Sequence, residues 1–126
     1  MKKALFVFAC LIGLIGCSNK KELTGDLTGR WYIYKITRDN IDQRNLVNDS
    51  FSNYSITFTG DGKYVESKAA GLDTTTLPGS WEFKDNYGKL QLTDTAEVRL
   101  YTVLNLAGNH VELLRNRENR YMRKFQ

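Results

Sequence analysis

The sequence predicts an all-β domain of about eight short antiparallel strands, arranged as a sandwich or as a closed barrel. Two observations lead to this prediction. Segments rich in aromatic and β-branched residues recur from residue 29 onward, and turn residues separate them about every eight to twelve positions. The chain has 126 residues, of which 41% are hydrophobic, so it suits one folded domain and is too short for two.

The first strands are predicted from composition and from alternation between turns. Residues 31–37 are rich in aromatic and β-branched side chains. In the next segment Tyr54, Ile56 and Phe58 share one face, which is the period of a half-buried strand. Gly60-Asp61-Gly62 then turns the chain, because glycine adopts the positive φ that a tight hairpin needs.

The later strands follow the same logic. Trp81 and Phe83 share a face, and Leu90 and Leu92 mark the strand after them. In the longest strand, apolar side chains at 98, 100, 104 and 106 lie opposite Arg99, Tyr101 and Val103. Gly108-Asn109 then predicts a hairpin with a turn of the primed type. The predicted strands cover residues 31–37, 53–59, 63–68, 80–84, 90–92, 97–106, 111–117 and 120–125.

Two longer connections are expected. Residues 39–51 are mostly polar with scattered apolar side chains, and they form a long first connection with a helical turn. Residues 70–78 contain Gly71, three threonines and Pro78, and they are expected to form a loop.

The N-terminus reads as a secretory signal. Two lysines precede an apolar run over residues 4–15 that is too short to span a bilayer as a helix. The run ends in Leu14-Ile15-Gly16-Cys17, which resembles the lipobox of bacterial lipoproteins. The resemblance implies cleavage before Cys17, removal of 1–16 as a signal peptide, and acyl chains such as palmitate on the cysteine. Residues 17–28 then form the lipidated cysteine and a tether, and the folded domain spans 29–126.

The anchor determines the expected location. Acyl chains insert almost irreversibly, since each buried methylene adds about 0.8 kcal/mol. We therefore expect a protein of the bacterial cell envelope. Ser18 favours the outer membrane in the lipoprotein sorting rule, with the domain in the periplasm. The full chain has 18 basic and 14 acidic residues, and removal of Lys2 and Lys3 with the signal segment leaves 16 basic residues against 14 acidic ones. That balance does not suggest a nucleic-acid partner.

The order of short motifs resembles a known family. Gly29-Arg30-Trp31 opens the first strand, the segment 56–64 forms a strand–turn–strand unit, and Gly79-Ser80-Trp81 begins a hairpin that continues through 89–94. Together they are similar to small bacterial lipocalin-like lipoproteins. The resemblance implies a small antiparallel up-and-down β-barrel of about eight strands, with Gly29 and Trp31 at its closed end.

In lipocalins a basic residue on the last strand packs across this indole. Arg123 is the expected residue here, and Arg115 is the competitor.

The strand tyrosines are the candidate ligand-binding residues. In a lipocalin-like barrel, Tyr34 (or Lys35), Tyr54 and Tyr101 would lie toward the open end. Their rings offer apolar faces and hydroxyl tips that suit a small apolar or amphipathic molecule. The alternative is that these rings fill the barrel or cover its outside.

Catalytic, metal and cofactor sites are not expected. His110 is the single histidine and is expected to be exposed at a strand start, without partner ligands for zinc. Glu66 and Glu82 are the candidate carboxylate pair, but their alternation with apolar neighbours predicts that both face solvent. With Cys17 used for lipid, no nucleophile–base pair is left, so we do not expect an enzyme.

Two functions stay open at this point. The first is binding of a small apolar or amphipathic molecule in the barrel mouth. The second is a structural or interaction module, in which loops 39–52 and 70–78 contact another envelope protein. A tyrosine-lined pocket open at one end would favour the first, and a filled interior with an exposed apolar patch would favour the second.

Overall fold

The structure is a computed structural model that describes residues 23–70 and 72–125. A helical segment over residues 23–27 leads into the first strand, and one further helix, α1, spans Arg44–Ser50. No helix in the described ranges is long and apolar enough to cross a membrane. The strands are β1 Gly29–Arg38, β2 Ile41–Asp42, β3 Tyr54–Phe58, β4 Lys63–Ala70, β5 Asp73–Lys84, β6 Lys89–Thr93, β7 Val98–Ala107, β8 His110–Arg115 and β9 Glu118–Lys124.

The strands close into an antiparallel barrel. Strands β3 to β9 pair in sequence order, and β1 pairs with β3 on one side and with β9 on the other. Eight strands therefore form the barrel, and the two-residue β2 adds only to the end of β1. The predicted fold class, a small up-and-down barrel of about eight strands, is confirmed.

The pairing between β1 and β3 is short. It covers Gly29 to Trp31 on β1, and beyond Trp31 the two strands separate while β1 continues along β9 as far as Arg38. The connection that contains α1 packs beside this opening, with Leu46, Val47 and Phe51 against the core. The long first connection thus covers a seam in the barrel wall, which is why a mostly polar segment keeps a few apolar side chains.

Several of the most deeply buried core side chains lie at one end of the barrel. Leu27 and Trp31 are fully buried there, together with Phe58 and Tyr64. Phe58 and Trp81 meet edge to face with ring centres 5.8 Å apart, a favoured geometry for aromatic pairs. This end, which the helical segment 23–27 covers, is the closed end, and the opposite end carries the β1–β2, β4–β5 and β8–β9 turns.

Two predicted boundaries were wrong. Residues 70–78 do not form a loop, because β4 runs to Ala70 and β5 starts at Asp73, with Lys68 opposite Thr75. The threonines favour extended backbone, and they lengthen the hairpin. Asn116 and Arg117, predicted within a strand, have φ of 51° and 66° and form the β8–β9 turn. The hairpin at Gly108-Asn109 is confirmed, but neither residue has a positive φ, so the turn is not of the predicted primed type.

Candidate functional site

The open end of the barrel holds a pocket of about 360 Å³. Its wall comes from the end of β1, the middle of β7 and the β8–β9 hairpin, which the closure between β1 and β9 brings together. Three of the six lining residues are arginines, and one is a carboxylate. They are Arg38, Tyr101, Arg115, Asn116, Glu118 and Arg120.

Glu118 organises the guanidinium groups of this pocket. Its carboxylate accepts a hydrogen bond of 2.9 Å from Arg38 Nε and one of 2.7 Å from Arg120 Nε. Burial alone would raise the pKa of Glu118, but the hydrogen bonds and charges of Arg120 and Arg38 outweigh it and lower the pKa below its ordinary value. Arg115 lies 3.9 Å from a second carboxylate, that of Glu97. Three guanidinium groups therefore share two carboxylates at the mouth.

A buried ion pair lies deeper in the barrel. Arg99 on β7 and Glu66 on β4 face each other with side chains about nine-tenths buried and share a charge-assisted hydrogen bond. The Tyr54 hydroxyl donates a bond of 2.7 Å to Glu66, and the Tyr64 and Tyr101 hydroxyls accept bonds of 3.3 Å and 3.4 Å from Arg99. These five side chains form one polar network inside an apolar wall.

The network shifts the pKa values of Tyr54 and Arg99. Burial, then the neighbouring Glu66 charge, raises the pKa of Tyr54 well above its ordinary value, so the hydroxyl remains a donor. Burial works against the charge of Arg99, but its hydrogen bonds and the Glu66 carboxylate still raise its pKa. Nε of Arg99 is buried without a hydrogen-bond partner among the described residues, although Glu97 Oε1 is 3.5 Å away.

The barrel interior is almost completely filled. The enclosed space measures about 10 Å³, which is room for about one water molecule. Its walls include Tyr54, Leu113 and Met122, and it shares Tyr101 and Arg120 with the mouth pocket. Those two side chains separate the mouth from the interior.

The structure places two of the three candidate tyrosines inside the barrel. Tyr54 and Tyr101 are 4% and 3% exposed and belong to the polar network, and Tyr101 also lines the mouth. Tyr34 does not line the mouth, which corrects the prediction. Trp31 and Ile33 face the core, so alternation along β1 places Tyr34 on the outer surface beside His110 and Tyr121.

Sequence reasoning missed the ion pair. Glu66 was expected to face solvent, but it is 6% exposed, because the face of β4 that carries Tyr64 points inward and Glu66 shares that face. Arg99 belongs to the inward face of β7 with Tyr101, whereas Val98 and Leu100 point outward. The signal was present as two opposite charges, each two residues from an inward tyrosine.

The remaining candidates have structural roles or lie elsewhere. His110 is half-buried rather than exposed, and its Nδ1 is 3.2 Å from the Tyr34 hydroxyl. Among the described residues, no group of three His, Cys, Asp or Glu side chains is placed to hold a metal ion. Cys17 and the signal segment 1–16 lie outside the described residues.

A family model for a lipocalin-like domain matches residues 27–113, more than half of the chain. The chain belongs to the lipocalin-like domain family. A lipocalin-like protein from Bacteroides uniformis has a similar structure, with a TM-score of 0.64 and 15% identity, covering 80% of this chain and 100% of that one. An uncharacterized protein from Bacteroides eggerthii follows at a TM-score of 0.62 and 11% identity, with coverage of 79% and 99%. No curated protein matches the chain.

The lipocalin-like motif residues lie at the closed end, with one correction. Gly29 has a φ of 135°, which favours glycine, and Trp31 is fully buried with its indole N–H donating a 2.7 Å bond to the Leu27 carbonyl. The residue across the indole is Lys124, not Arg123 or Arg115. Arg123 pairs with Tyr32 in the register, so it points outward and stacks on Tyr34 at 4.2 Å.

Proposed function

We propose that this protein is a lipid-anchored envelope lipoprotein whose lipocalin-like domain binds a small amphipathic molecule at the open end of the barrel. One observation carries the ligand proposal, namely the pocket of about 360 Å³ above Tyr101 and Arg120. It is concave, it lies at one end of a rigid barrel, and it concentrates a few charged groups, as small-molecule sites do.

The lining indicates the chemistry of the ligand. Three guanidinium groups favour an acidic head group, because arginine binds a carboxylate through paired, charge-assisted hydrogen bonds. The Tyr101 ring supplies a small apolar surface for the body of the ligand. The filled interior does not accept a long apolar chain, so a purely apolar ligand is the weaker choice.

The anchoring proposal depends on the N-terminal segment. Cys17 of the lipobox is the proposed lipid-attachment site, with 1–16 removed as the signal peptide. The proposed location is the outer membrane with the domain in the periplasm. The proposed activity is binding without catalysis.

A second candidate function is an interaction module for another envelope protein. Apolar side chains project from both segments first considered for this role, with Ile41 66% exposed in the first connection and Leu72 fully exposed at the β4–β5 turn. Leu77, on the same hairpin, is about half exposed. Together with the filled interior, these residues support the interaction alternative.

The experiment is a titration of the full-length protein in detergent with a short-chain carboxylic acid that carries a fluorescent group. Arg115→Gln and Tyr101→Ala are expected to weaken saturable binding, and each variant is first checked for folding by circular dichroism. Arg117→Gln is the matched control, since Arg117 lies in the same turn region but is 84% exposed and outside the pocket lining. Absence of saturable binding across a panel of acidic amphiphiles would favour the interaction module.

A further inference from the structure

A second surface lies on the outside of the barrel, where the start of β1 pairs with the end of β9. We call it the outer aromatic face. Its rings and cations are in mutual contact: Tyr32 and Phe125 lie 5.0 Å apart, and Arg30 lies 4.6 Å from the Phe125 ring. Its residues are Arg30, Tyr32, Tyr34, Tyr121, Arg123 and Phe125.

The pairing of β1 with β9 determines how the rings on this face are oriented. Tyr32 and Arg123 are opposite each other in the β1–β9 register, so both point away from the core. Phe125 continues along β9, and its backbone N–H is bonded to the Arg30 carbonyl at 2.8 Å. The Phe125 side chain is 45% exposed. The rings are therefore held by the sheet, while part of their apolar surface stays accessible.

Two clefts flank the Tyr32–Phe125 pair. One has a volume of about 550 Å³ and the other of about 540 Å³, and both are lined by Tyr32 and Phe125. The first cleft lies at the seam between β1 and β3 and adds hydroxyl and amide groups from Ser55, Ser67 and Asn53. The aromatic pair thus forms a ridge between a hydroxyl-rich cleft and a second cleft.

The second cleft is cationic. It is lined by His110, Arg123 and Lys124, and Arg30 lines the first cleft. No aspartate or glutamate occurs among the described residues that line either cleft. Lys124 is already bonded to the Asp26 carbonyl, so Arg30 and Arg123 are the cations most available to a ligand. An anionic ligand therefore meets no repelling charge in the two clefts.

We infer that the outer aromatic face binds an acidic oligosaccharide across the Tyr32–Phe125 ridge. A sugar ring has an apolar C–H face that packs on an aromatic ring and a rim of hydroxyls that match the serines and Asn53. Its carboxylate or sulfate groups then pair with Arg123 in the second cleft and with Arg30 in the first. An acidic peptide has no comparable set of hydroxyls, and a flat membrane surface does not enter two clefts.

This site is separate from the mouth pocket. The mouth and the two clefts share no lining residue. Binding at the outer aromatic face can therefore be tested independently of binding at the mouth, and variants at the mouth are not expected to change it.

The test is NMR titration of the full-length protein in detergent with uronic-acid and sulfated tetrasaccharides, and with neutral tetrasaccharides of equal length. Changes in NMR chemical shift are expected at Tyr32, Phe125 and Ser55, and only when the acidic sugars are added. Arg123→Gln and Tyr32→Ala are expected to weaken binding about tenfold each, which is about 1.4 kcal/mol. Arg117→Gln and the mouth variant Arg115→Gln are the controls, and they are expected to change the affinity for the acidic sugars less than about twofold.

Three outcomes would overturn the inference. The first is no binding across the acidic panel. The second is equal binding of neutral and acidic sugars, or equal binding by Arg123→Gln and the controls. The third is that poly-glutamate or vesicles with anionic lipid cause the shifts at Tyr32 and Phe125 while the sugars do not.

Discussion

The ammonium group of Lys124 lies 5.1 Å from the centre of the Trp31 ring and donates a hydrogen bond of 2.8 Å to the Asp26 carbonyl. The same indole donates its N–H to the Leu27 carbonyl at 2.7 Å. One tryptophan therefore connects the first strand, the last strand and the helical segment before the barrel. Because the cation lies over the ring face, a cation–π contact of about 0.5–2 kcal/mol adds to the burial of the indole.

Truncation of Trp31 should strongly destabilise the domain. We expect Trp31→Ala to lower the free energy of unfolding by about 3–5 kcal/mol, the usual range for a fully buried aromatic side chain. Urea unfolding measures this loss. Tyr32→Ala on the same strand is the matched control and should cost less, because Tyr32 is only half-buried on the outside. An unchanged midpoint for Trp31→Ala would contradict the closed-end assignment.

The strand pattern could be predicted from the sequence because alternation and turn residues are local signals. The sequence could not predict which face of each strand points toward the core. On β7 both faces contain large side chains, and apolarity alone places Val98 and Leu100 inside, yet Arg99 and Tyr101 point inward. The deciding factor is Glu66 on β4, 33 residues away, which neutralises Arg99. Such pairing depends on strand order and register, which no single strand specifies.

The errors at Tyr34 and Arg123 have the same origin. Tyr34 is three residues after the inward Trp31 and so lies on the opposite face of β1, and a shift of one residue on β9 exchanges Arg123 for Lys124 at the indole. Because side chains alternate between faces, an error of one residue in the assigned face reverses the predicted environment. The environment of a single side chain is therefore harder to predict than the strand that carries it.

Gly79 is predicted to be intolerant of any side chain. A Cβ at this position would lie 2.4 Å from Tyr64 Cζ and 2.6 Å from the Thr93 carbonyl oxygen, and the Thr93 backbone cannot easily move. Overpacking of this kind costs about 1–3 kcal/mol, so Gly79→Ala should lower the melting temperature. Gly108→Ala is the control, because no atom lies within 4 Å of its Cβ position. Equal melting temperatures for the two variants would contradict the Tyr64–Gly79 packing.

Removal of one partner of the buried ion pair should lower the free energy of unfolding more than replacement of both partners by apolar residues. Glu66→Gln leaves Arg99 charged and buried, and the expected loss in the free energy of unfolding is about 3–5 kcal/mol. The double variant Glu66→Leu, Arg99→Met replaces both charges with apolar groups. Its loss, measured in urea, should be smaller than that of Glu66→Gln alone. A larger loss for the double variant than for Glu66→Gln would contradict the prediction.

Lipidation at Cys17 is predicted to depend on its thiol. Metabolic labelling with an alkyne-tagged fatty acid should mark the native protein, and Cys17→Ser should abolish the label because serine is not the acceptor in the lipobox reaction. Cys10→Ser is the matched control and should still be labelled, since Cys10 lies within the signal segment that we expect to be removed. Undiminished labelling of Cys17→Ser would refute the anchor.

Acid is predicted to weaken the open end through Glu118. Its carboxylate has a pKa lowered by Arg120 and Arg38 in the folded state, despite the opposing effect of burial. A group with a lower pKa when folded stabilises the protein above its unfolded pKa, and this contribution disappears as the pH falls through the folded value. The free energy of unfolding should therefore decrease as the pH falls below about 5. Glu118→Gln should be less stable than wild type at pH 7, and the difference should shrink in acid.

Urea unfolding at several pH values from 7 to about 3 measures this convergence. Glu82→Gln is the control, because Glu82 is exposed and its ion pair with Lys84 is a surface pair that contributes little. The Glu82→Gln curve should run close to that of the wild type at every pH. A constant offset between wild type and Glu118→Gln over the whole range would contradict the prediction, because it would mean that Glu118 gains nothing from its charge beside Arg38 and Arg120.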